Sequence, residues 1–358
     1  MGISRTVRVG VVQAAPVFLD REGSTEKAVG LIREASNRGV ELLVFPEGFI
    51  PAHPVWYHFH PATGAASLEM AAELFENAVE VPGPTTRRLA AAARDAGIAV
   101  VIGVCERRPA TTGTMFNTQL FIERDGRLVG KHQKLTPTVG ERFVHAGGYG
   151  DTLRTYQMQS ARVGGLICGE NSNPLAIAAI AAGGAQIHAA SWPNHFSRNE
   201  HRMGDLVTLA SRSLAYKAGC FVLNACATIS DEIAARIAYT DEDRAFLADR
   251  SNGGGSSIVG ADTFLIAGPM DGAEEGLLVV DVDLRDCIRA KTVHDYSGHY
   301  NRADVFTLLV DRRVPALFEE VVDRRAVPEL VDLPSAEDRD DDMTPIFRPQ
   351  EGLPASMP

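Results

Sequence analysis

The chain has 358 residues, 45% of them hydrophobic and 23% charged, a composition typical of a soluble globular protein. The formal net charge of -11 argues against a nucleic-acid partner, because such binding depends on Lys and Arg side chains that neutralise phosphates. No apolar stretch approaches the roughly 20 residues that cross a bilayer, and the first residues lack the apolar core of a signal peptide. We therefore expect a cytoplasmic protein that binds neither nucleic acid nor membranes.

The predicted elements alternate between short β-branched runs and longer segments of helical period. The first three are a strand at TVRVGVVQAA, an amphipathic helix over residues 24–38 and a strand at ELLVFPEG. A helix over residues 85–96 and a strand at IAVVIGVCER follow. The Asp125-Gly126 pair inside MFNTQLFIERDGRLVGKHQK then predicts a β-hairpin, so we expect a sheet of mixed direction.

The alternation continues through the second half of the chain. Strand ARVGGLIC precedes helix NPLAIAAIAAGG, strand AQIHAASWP, a helix over residues 205–217 and strand CFVLNACA. Late strands are predicted at SSIVG, TFLIAG and GLLVVDVDL.

From about Ala316 the chain is rich in Asp, Glu, Arg and Pro. We predict one α/β domain over residues 1–315 and a C-terminal extension over residues 316–358 that is extended or partly disordered.

Three apolar strands run into polar, turn-forming ends, which carry Glu47, Lys134 and Cys168. The ends of neighbouring strands meet in one crevice of an open sheet, so these side chains are candidates to converge. A thiol needs a base or a positive neighbour to become a nucleophile, and a carboxylate and an ammonium supply both. The backbone N–H of Gly169 is a candidate second donor to negative charge on a substrate.

The five cysteines also have a simpler interpretation, since a buried cysteine is usually an inert small hydrophobe. That interpretation is the better one for Cys105, Cys220, Cys226 and Cys287, which lie within strand-like or helix-like runs. Five scattered cysteines without a CxxC pair also disfavour a disulfide framework or a zinc ribbon. For Cys168, the matching contexts of Glu47 and Lys134 favour the nucleophile.

The motifs FPEG, KHQKLTPTVGER and GGLICGENSNPL resemble those of the Glu-Lys-Cys hydrolases of the nitrilase superfamily. The motifs KLTPTVGER, Cys-x-Glu-Asn, ASWP and DYSGHYNRADVF favour its nitrilase branch. The resemblance runs from Arg8 to about Val310. It implies a four-layer αββα sandwich with mixed sheets that assembles through αββααββα dimers, which nitrilases often extend into spirals.

The resemblance also implies a reaction: an organic nitrile becomes a carboxylic acid and ammonia. Cys168 would form the covalent thioimidate and acyl-enzyme, and Glu47 would be the general base. Lys134 would stabilise the tetrahedral species, and Glu141 would position or help protonate the groups around it. No metal or organic cofactor is needed, and the partners implied are a small-molecule nitrile and further copies of the chain.

Many nitrilases carry Trp directly after the cysteine, whereas this chain has Gly169. Substrate size and the ratio of acid to amide therefore stay open. The alternatives are an amidase or N-carbamoyl hydrolase with the same three residues, a cyanide hydratase or dihydratase, and a catalytically silent scaffold. The last is disfavoured because all four catalytic positions are intact.

Two other features have simpler explanations. Three histidines crowd PAHPVWYHFHP, but the interspersed prolines and aromatics suggest a loop over a pocket rather than a metal site.

We predict Tyr57 and Trp192 as pocket walls that bind substrate together with Gly169. The glycines at 253–255 lack the Gly-Lys-Ser/Thr sequel of a phosphate loop.

Overall fold

In the computed structural model of the chain, residues 6–194 and 203–315 are described. Their strands are β1 Thr6–Gln13, β2 Leu42–Val44, β3 Ala99–Arg107, β4 Met115–Ile122, β5 Leu128–Gln133, β6 His145–Ala146, β7 Tyr156–Gln157, β8 Arg162–Ile167, β9 Ile187–Trp192, β10 Phe221–Cys226, β11 Ser257–Val259, β12 Leu265–Ala267 and β13 Gly276–Asp283. Their helices are α1 Arg21–Asn37, α2 Ala65–Asn77, α3 Pro84–Ala96, α4 Pro174–Ala182, α5 Met203–Ala218, α6 Asp231–Ile237, α7 Asp241–Ala248 and α8 Arg285–Val293. Short 3-10 turns cover Val55–His58, Val139–Phe143, Gly150–Thr152, Cys168–Ser172 and Arg250–Asn252.

The strands form two mixed sheets with related topologies. The first has the order β13-β1-β2-β3-β4-β5, with β6 paired to β4, and the second has the order β12-β11-β10-β9-β8-β7. In each sheet three central strands run parallel, β1, β2 and β3 in one and β8, β9 and β10 in the other. Antiparallel strands flank both triplets. The β4–β5 hairpin predicted from Asp125-Gly126 is confirmed.

The two sheets pack face to face through β-branched and aliphatic side chains. Val9, Val44 and Val101 of the first sheet share one buried cluster with Val163 and Ile187 of the second. Burying such side chains away from water is the main source of stability in this layer. The sheet-on-sheet core thus forms the middle of the molecule.

Helices cover the outer face of each sheet. Ile32 of α1 and Leu89 of α3 pack on the first sheet, while Ile177 of α4 and Leu214 of α5 pack on the second. The layers therefore run helix, sheet, sheet, helix, which confirms the predicted αββα sandwich. The division of the chain at residue 315 stays a prediction, because residues 316–358 lie outside the described residues.

The helix ends follow from capping chemistry. Asp20 caps α1 with a side-chain oxygen that accepts from the N–H of Gly23 at 3.0 Å, so this helix begins three residues before the predicted start. Gly97 ends α3 in the left-handed conformation. The sequence analysis did not predict α2, α6, α7 or α8, of which the last three span seven, eight and nine residues. Within the described residues, no helix is long and apolar enough to span a membrane.

Candidate active site

Glu47 lies in the loop that follows β2, with its side chain fully buried. The loop crosses β3 at Gly103, where an added Cβ would sit 2.3 Å from the carbonyl oxygen of Pro46, so only glycine permits the approach. Gly48 has a φ of +57° and turns the chain away. The N–H of Glu47 donates to the carbonyl oxygen of Trp192 at 3.2 Å, which ties this loop to the end of β9 in the other sheet.

Lys134, the residue directly after β5, is buried and lies between two carboxylates. Its Nζ is 2.8 Å from Oε1 of Glu47 and 2.5 Å from Oε1 of Glu141. Burial by itself would lower the pKa of Lys134, but the charges of Glu47, Cys168 and Glu141 raise it above its ordinary value. The side chain is therefore an ammonium at all physiological pH values.

Asn117 of β4 holds the same two carboxylates in place. Its Nδ2 donates to Oε1 of Glu47 at 2.6 Å and to Oε2 of Glu141 at 3.2 Å. Oε2 of Glu47 is buried and has no hydrogen-bond partner among the described residues. One oxygen of Glu47 is thus held by Lys134 and Asn117, and the other is available to a reacting group.

The two glutamates differ in their electrostatics. Burial raises the pKa of Glu47 to about 7, with the Glu141 charge acting in the same direction and Lys134 opposing it. Burial also disfavours the charged form of Glu141, but the neighbouring His145 and the Lys134 charge hold its pKa well below the ordinary value. Glu47 is therefore suited to exchange protons near neutral pH, while Glu141 stays ionised.

Cys168 is the first residue after β8 and opens the 3-10 turn Cys168–Ser172. Its φ is +52°, a conformation that non-glycine residues rarely adopt and that is frequent at functional sites. Burial and the Glu47 charge raise the pKa of its thiol to about 12, although Lys134 and the N–H of Gly169 favour the thiolate. The thiol is therefore protonated at neutral pH, so attack requires a base at the moment of reaction.

Glu170 is a positioning residue. In the sequence analysis it appears only as part of the Cys-x-Glu-Asn motif. Its Oε2 accepts from the N–H of Ile167 at 3.0 Å, and its Oε1 accepts from the N–H of Leu135 at 2.7 Å. These two residues are the direct neighbours of Cys168 and Lys134. A single buried carboxylate therefore holds Cys168 and Lys134 in register.

Asn171 supports the same turn from within. Its Nδ2 donates to the carbonyl oxygen of Cys168 at 2.9 Å, and its Oδ1 lies 2.8 Å from Nε2 of His188. Glu170 makes a parallel contact, with Oε2 at 3.0 Å from Nε2 of His132. The signal in the sequence was the run of polar residues after an apolar strand, but their partners come from β5 and β9.

A cavity of about 370 Å³ reaches Cys168. Its described lining is mostly apolar and comprises Thr138, Cys168, Gly169, Ser172, Trp192, Met203, Leu206, Leu209, Ala210 and Ser213. A Cβ at Gly169 would contact only Oγ1 of Thr138, at 3.7 Å, so this position has free space around it. Trp192 lines the cavity and is fixed by a hydrogen bond from Nε1 to Oδ1 of Asn224 at 3.0 Å.

Tyr57 is placed differently from the other predicted substrate-binding residues. It lies in the turn Val55–His58 and stacks on Phe143, with ring centroids 5.5 Å apart. It is not part of the described lining of the cavity at Cys168. Its contribution to substrate binding stays a prediction.

Three groups beside the carboxylates were not predicted as site residues. His53 places Nδ1 at 3.4 Å from Glu47 and 3.5 Å from Glu141, and Nδ1 of His145 is 3.8 Å from Glu141. Sγ of Cys105 lies 3.4 Å from Nε2 of His145 and donates to the carbonyl oxygen of Ala52. Burial and the two glutamate charges raise the pKa of Cys105 well above the ordinary value, consistent with an inert thiol.

Glu47, His53 and Glu141 together offer a possible set of metal ligands. Their ligand atoms lie within 4.8 Å of one another, a spacing that a cation could bridge. However, the ammonium of Lys134 contacts both carboxylates and supplies the positive charge there. The group is better suited to proton transfer beside a nucleophile than to metal binding.

A buried thiol, a carboxylate with a free oxygen and a buried ammonium thus meet at one edge of the sandwich. The family model for carbon-nitrogen hydrolases matches residues 8–292. "Nitrilase 2" from an unknown prokaryotic organism is 40% identical over 314 residues, which cover 87% of this chain and 95% of that protein. The "Aliphatic nitrilase" of Sinorhizobium fredii strain HH103 is 39% identical over 312 residues, covering 85% of this chain and 95% of that protein.

The fold has solved counterparts as well. The crystal structure of a carbon-nitrogen hydrolase from Helicobacter pylori G27 superposes with a TM-score of 0.64 at 18% identity, covering 84% of this chain and 97% of that one. That likeness bears on the fold alone, whereas the family model and the sequence relatives span the segments that carry Glu47, Lys134 and Cys168. With its motifs, its layers and its sequence relatives in agreement, the chain belongs to the carbon-nitrogen hydrolase family.

Proposed function

We propose that this protein is a nitrilase, which converts an organic nitrile and two water molecules to a carboxylic acid and ammonia. The observation that carries the proposal is the convergence of Cys168, Lys134 and a Glu47 with one free carboxylate oxygen, in a chain whose relatives are named nitrilases. The catalytic roles of these residues are part of the proposal.

The first step is addition of the thiol to the nitrile carbon. Oε2 of Glu47 takes the proton of Cys168 as the sulfur–carbon bond forms. Negative charge then develops on the nitrile nitrogen, which takes that proton from Glu47 to give a thioimidate. The ammonium of Lys134 stabilises the developing charge, and the N–H of Gly169 adds a second donor.

Water completes the reaction in two rounds. In the first, Glu47 takes a proton from water, the oxygen adds to the thioimidate carbon, and the proton passes to nitrogen. The hydroxyl proton of this tetrahedral species then moves to nitrogen through Glu47, the carbon–nitrogen bond breaks, and ammonia leaves a thioester. A second water, activated in the same way, releases the acid and returns the proton to Cys168.

Glu141 fixes the charge state of the site rather than exchanging protons. Its carboxylate stays ionised and contacts Lys134 at 2.5 Å, so the ammonium has an anionic partner when Glu47 is protonated. This arrangement lets Glu47 accept a proton without leaving a buried, unpaired ammonium, which would be costly.

The cavity supports a small apolar nitrile as the substrate. Its lining by Trp192, Met203, Leu206 and Leu209 favours aliphatic or aromatic groups over charged ones. Among the relatives, the protein of Sinorhizobium fredii is named an aliphatic nitrilase, and we extend the nitrile substrate class to this chain.

The test is ammonia release, with acid and amide separated by chromatography. The panel contains aliphatic, arylacetonitrile and aromatic nitriles, the matching amides, and cyanide. We expect acid and ammonia from at least one organic nitrile, and a loss of at least about 10³-fold in Cys168→Ala, because the residual activity lacks the covalent step.

Cys220→Ala is the matched control, since Cys220 is another buried thiol but lies outside the candidate site. It should retain wild-type turnover. Faster hydrolysis of amides than of nitriles would instead identify an amidase with the same thiol, and hydrolysis of cyanide alone would identify a cyanide hydratase or dihydratase.

We further propose that the chain assembles into homodimers or larger oligomers, which include spirals in the family it resembles. An exposed patch supports this, here called the aromatic patch: Tyr216, Val293, Tyr296 and Tyr300. The exposed fractions are 49%, 63%, 38% and 54% respectively. Contiguous apolar surface of this kind is characteristic of protein–protein contacts.

A further inference from the structure

His53, in the PAHPVWYHFHP segment, contacts both carboxylates of the candidate site. Its side chain is only 9% exposed, and Nδ1 has no hydrogen bond of good geometry among the described residues. That nitrogen lies 3.4 Å from Oε1 of Glu47 and 3.5 Å from Oε2 of Glu141. A buried ring nitrogen therefore lies between the two carboxylates.

The charges around His53 determine which form of the ring is present. Burial lowers the pKa of His53 well below its ordinary value, even though the Glu141 carboxylate acts in the opposite direction. Lys134, His145 and His58 also face the ring and lower its pKa further. The ring is therefore neutral near pH 7 and carries one N–H.

The position of that N–H follows from the groups it faces. Ionised carboxylate oxygens only accept hydrogen bonds, so the tautomer with the proton on Nδ1 is favoured. A single Nδ1–H then faces two acceptors at nearly equal distances. The same two oxygens also accept from Nδ2 of Asn117, and Lys134 contacts both carboxylates.

We propose that His53 is a positioning residue of the reaction, whose Nδ1–H is shared by Glu47 and Glu141 and keeps the two ionised carboxylates side by side. The donor screens one carboxylate from the other. It also helps to hold Oε1 of Glu47, which leaves Oε2 free for the thiol. This inference rests on the proposed role of Glu47 as the base for Cys168.

The test measures thiol activation directly and does not require a nitrile. The rate of alkylation of Cys168 by iodoacetamide is followed against pH in the full-length protein, by mass spectrometry of the peptide that contains Cys168. The rate rises as Glu47 ionises, so its acid limb reports Glu47. Cys168→Ala identifies the signal, and thermal unfolding checks that each variant is folded.

The variants separate a hydrogen-bond donor from a space-filling side chain. The Leu and Asn side chains have the same number and branching of heavy atoms, but only Asn retains an N–H close to the position of Nδ1. We expect His53→Leu to move the acid limb upward by about one pH unit, because an unscreened Glu47 holds its proton to higher pH. His53→Asn should stay within about 0.3 units, which is well under that difference.

His60→Leu is the control from the same segment and should leave the limb unchanged, since His60 contacts the ring of Tyr239 rather than the carboxylates. If His53→Leu does not fold, His53→Ala takes its place. Equal shifts in the Asn and Leu variants, or no shift in either, would overturn the inference. A shift in Leu alone supports it whether or not any nitrile is hydrolysed, so it can stand or fail separately from the nitrilase proposal.

Discussion

At the scale of single residues, the site depends on how burial separates the roles of two carboxylates that share one ammonium. Glu47 and Glu141 both contact Lys134, but Glu141 also receives the N–H of Thr138 at 2.6 Å and has His145 beside it. These extra contacts favour the anion of Glu141, whereas burial favours the acid form of Glu47. The same side-chain type is thus held ionised in one position, and in the other its pKa is raised to about 7, as the proposed role of Glu47 as a base requires.

The raised pKa of Glu47 predicts the pH dependence of activity. A base must be ionised to act, so kcat/KM should increase as pH rises through about 7, the pKa of Glu47 in the folded protein, and fall below it. Glu47→Gln keeps the shape but not the base, and we expect a loss of about 10²–10⁴-fold without the acid limb. The measurement is kcat/KM from pH 5 to 9 for wild type and variant, and an unshifted limb near pH 4.5 would contradict the assignment.

At the scale of elements, two strand ends from different sheets must keep a fixed spacing, and Glu170 is the link between them. It joins the residue after Lys134 at the end of β5 to the residue before Cys168 at the end of β8. The neighbouring cluster of Leu166, Ile177 and Leu214 fills the space between β8 and its helices. Packing fixes the position of each element in its layer. The Glu170 carboxylate fixes the spacing of the two loops that follow β5 and β8.

The link predicts a loss of rate in Glu170→Gln. The amide cannot accept at both oxygens, so one N–H loses its partner, which should cost about 1–3 kcal/mol of stability. Because Lys134 and Cys168 then shift relative to each other, we expect kcat/KM to fall about 10- to 100-fold, mainly in kcat. The readouts are steady-state kinetics and denaturant unfolding.

Glu123→Gln is the matched control for that variant. Glu123 is also a buried carboxylate that accepts backbone N–H groups, from Arg124 and Gln159, both at 2.8 Å. It lies just beyond β4, away from the candidate site. Its variant should lose stability with little change in kcat/KM, and equal kinetic losses in both variants would show that Glu170 acts only on stability.

At the scale of the whole molecule, the two sheets bury each other's inner faces while the aromatic patch stays open to solvent. Tyr216 of α5 contacts Tyr296 with ring centroids 6.1 Å apart, and Tyr296 contacts Tyr300 at 5.4 Å. Helix α5 also provides Leu209 to the cavity at Cys168. An assembly through this patch would therefore involve the same helix that lines the cavity at Cys168.

Light scattering after size exclusion tests the predicted assembly. We expect a mass of two chains or more for wild type, and a shift toward one chain in Tyr216→Asp/Tyr296→Asp, because two charges replace apolar contact surface. Leu175→Asp changes another exposed apolar residue, 65% exposed and outside the patch, and should leave the mass unchanged. A single-chain mass for wild type would contradict the prediction.

The amino-acid sequence determined the elements and the motifs because these are local. Hydrophobic period and the Asp125-Gly126 turn indicated an α/β domain with a mixed sheet, and the resemblance of its motifs to the nitrilase superfamily implied the αββα sandwich. Glu47, Lys134 and Cys168 stood out by residue type and context. Helices α6 and α7 escaped prediction because seven and eight residues are too few to show a clear period, and their buried side chains pack on distant segments.

Only the tertiary structure decided how those residues act on one another. The +52° φ of Cys168, the double contact of Glu170, the free oxygen of Glu47 and the place of His53 between two carboxylates join segments that are far apart in sequence. Burial and charge proximity set the protonation of each group, and both are properties of the packed chain. A sequence can state which groups are present, but distances and exclusion of water decide which of them is a base, a fixed charge or a donor.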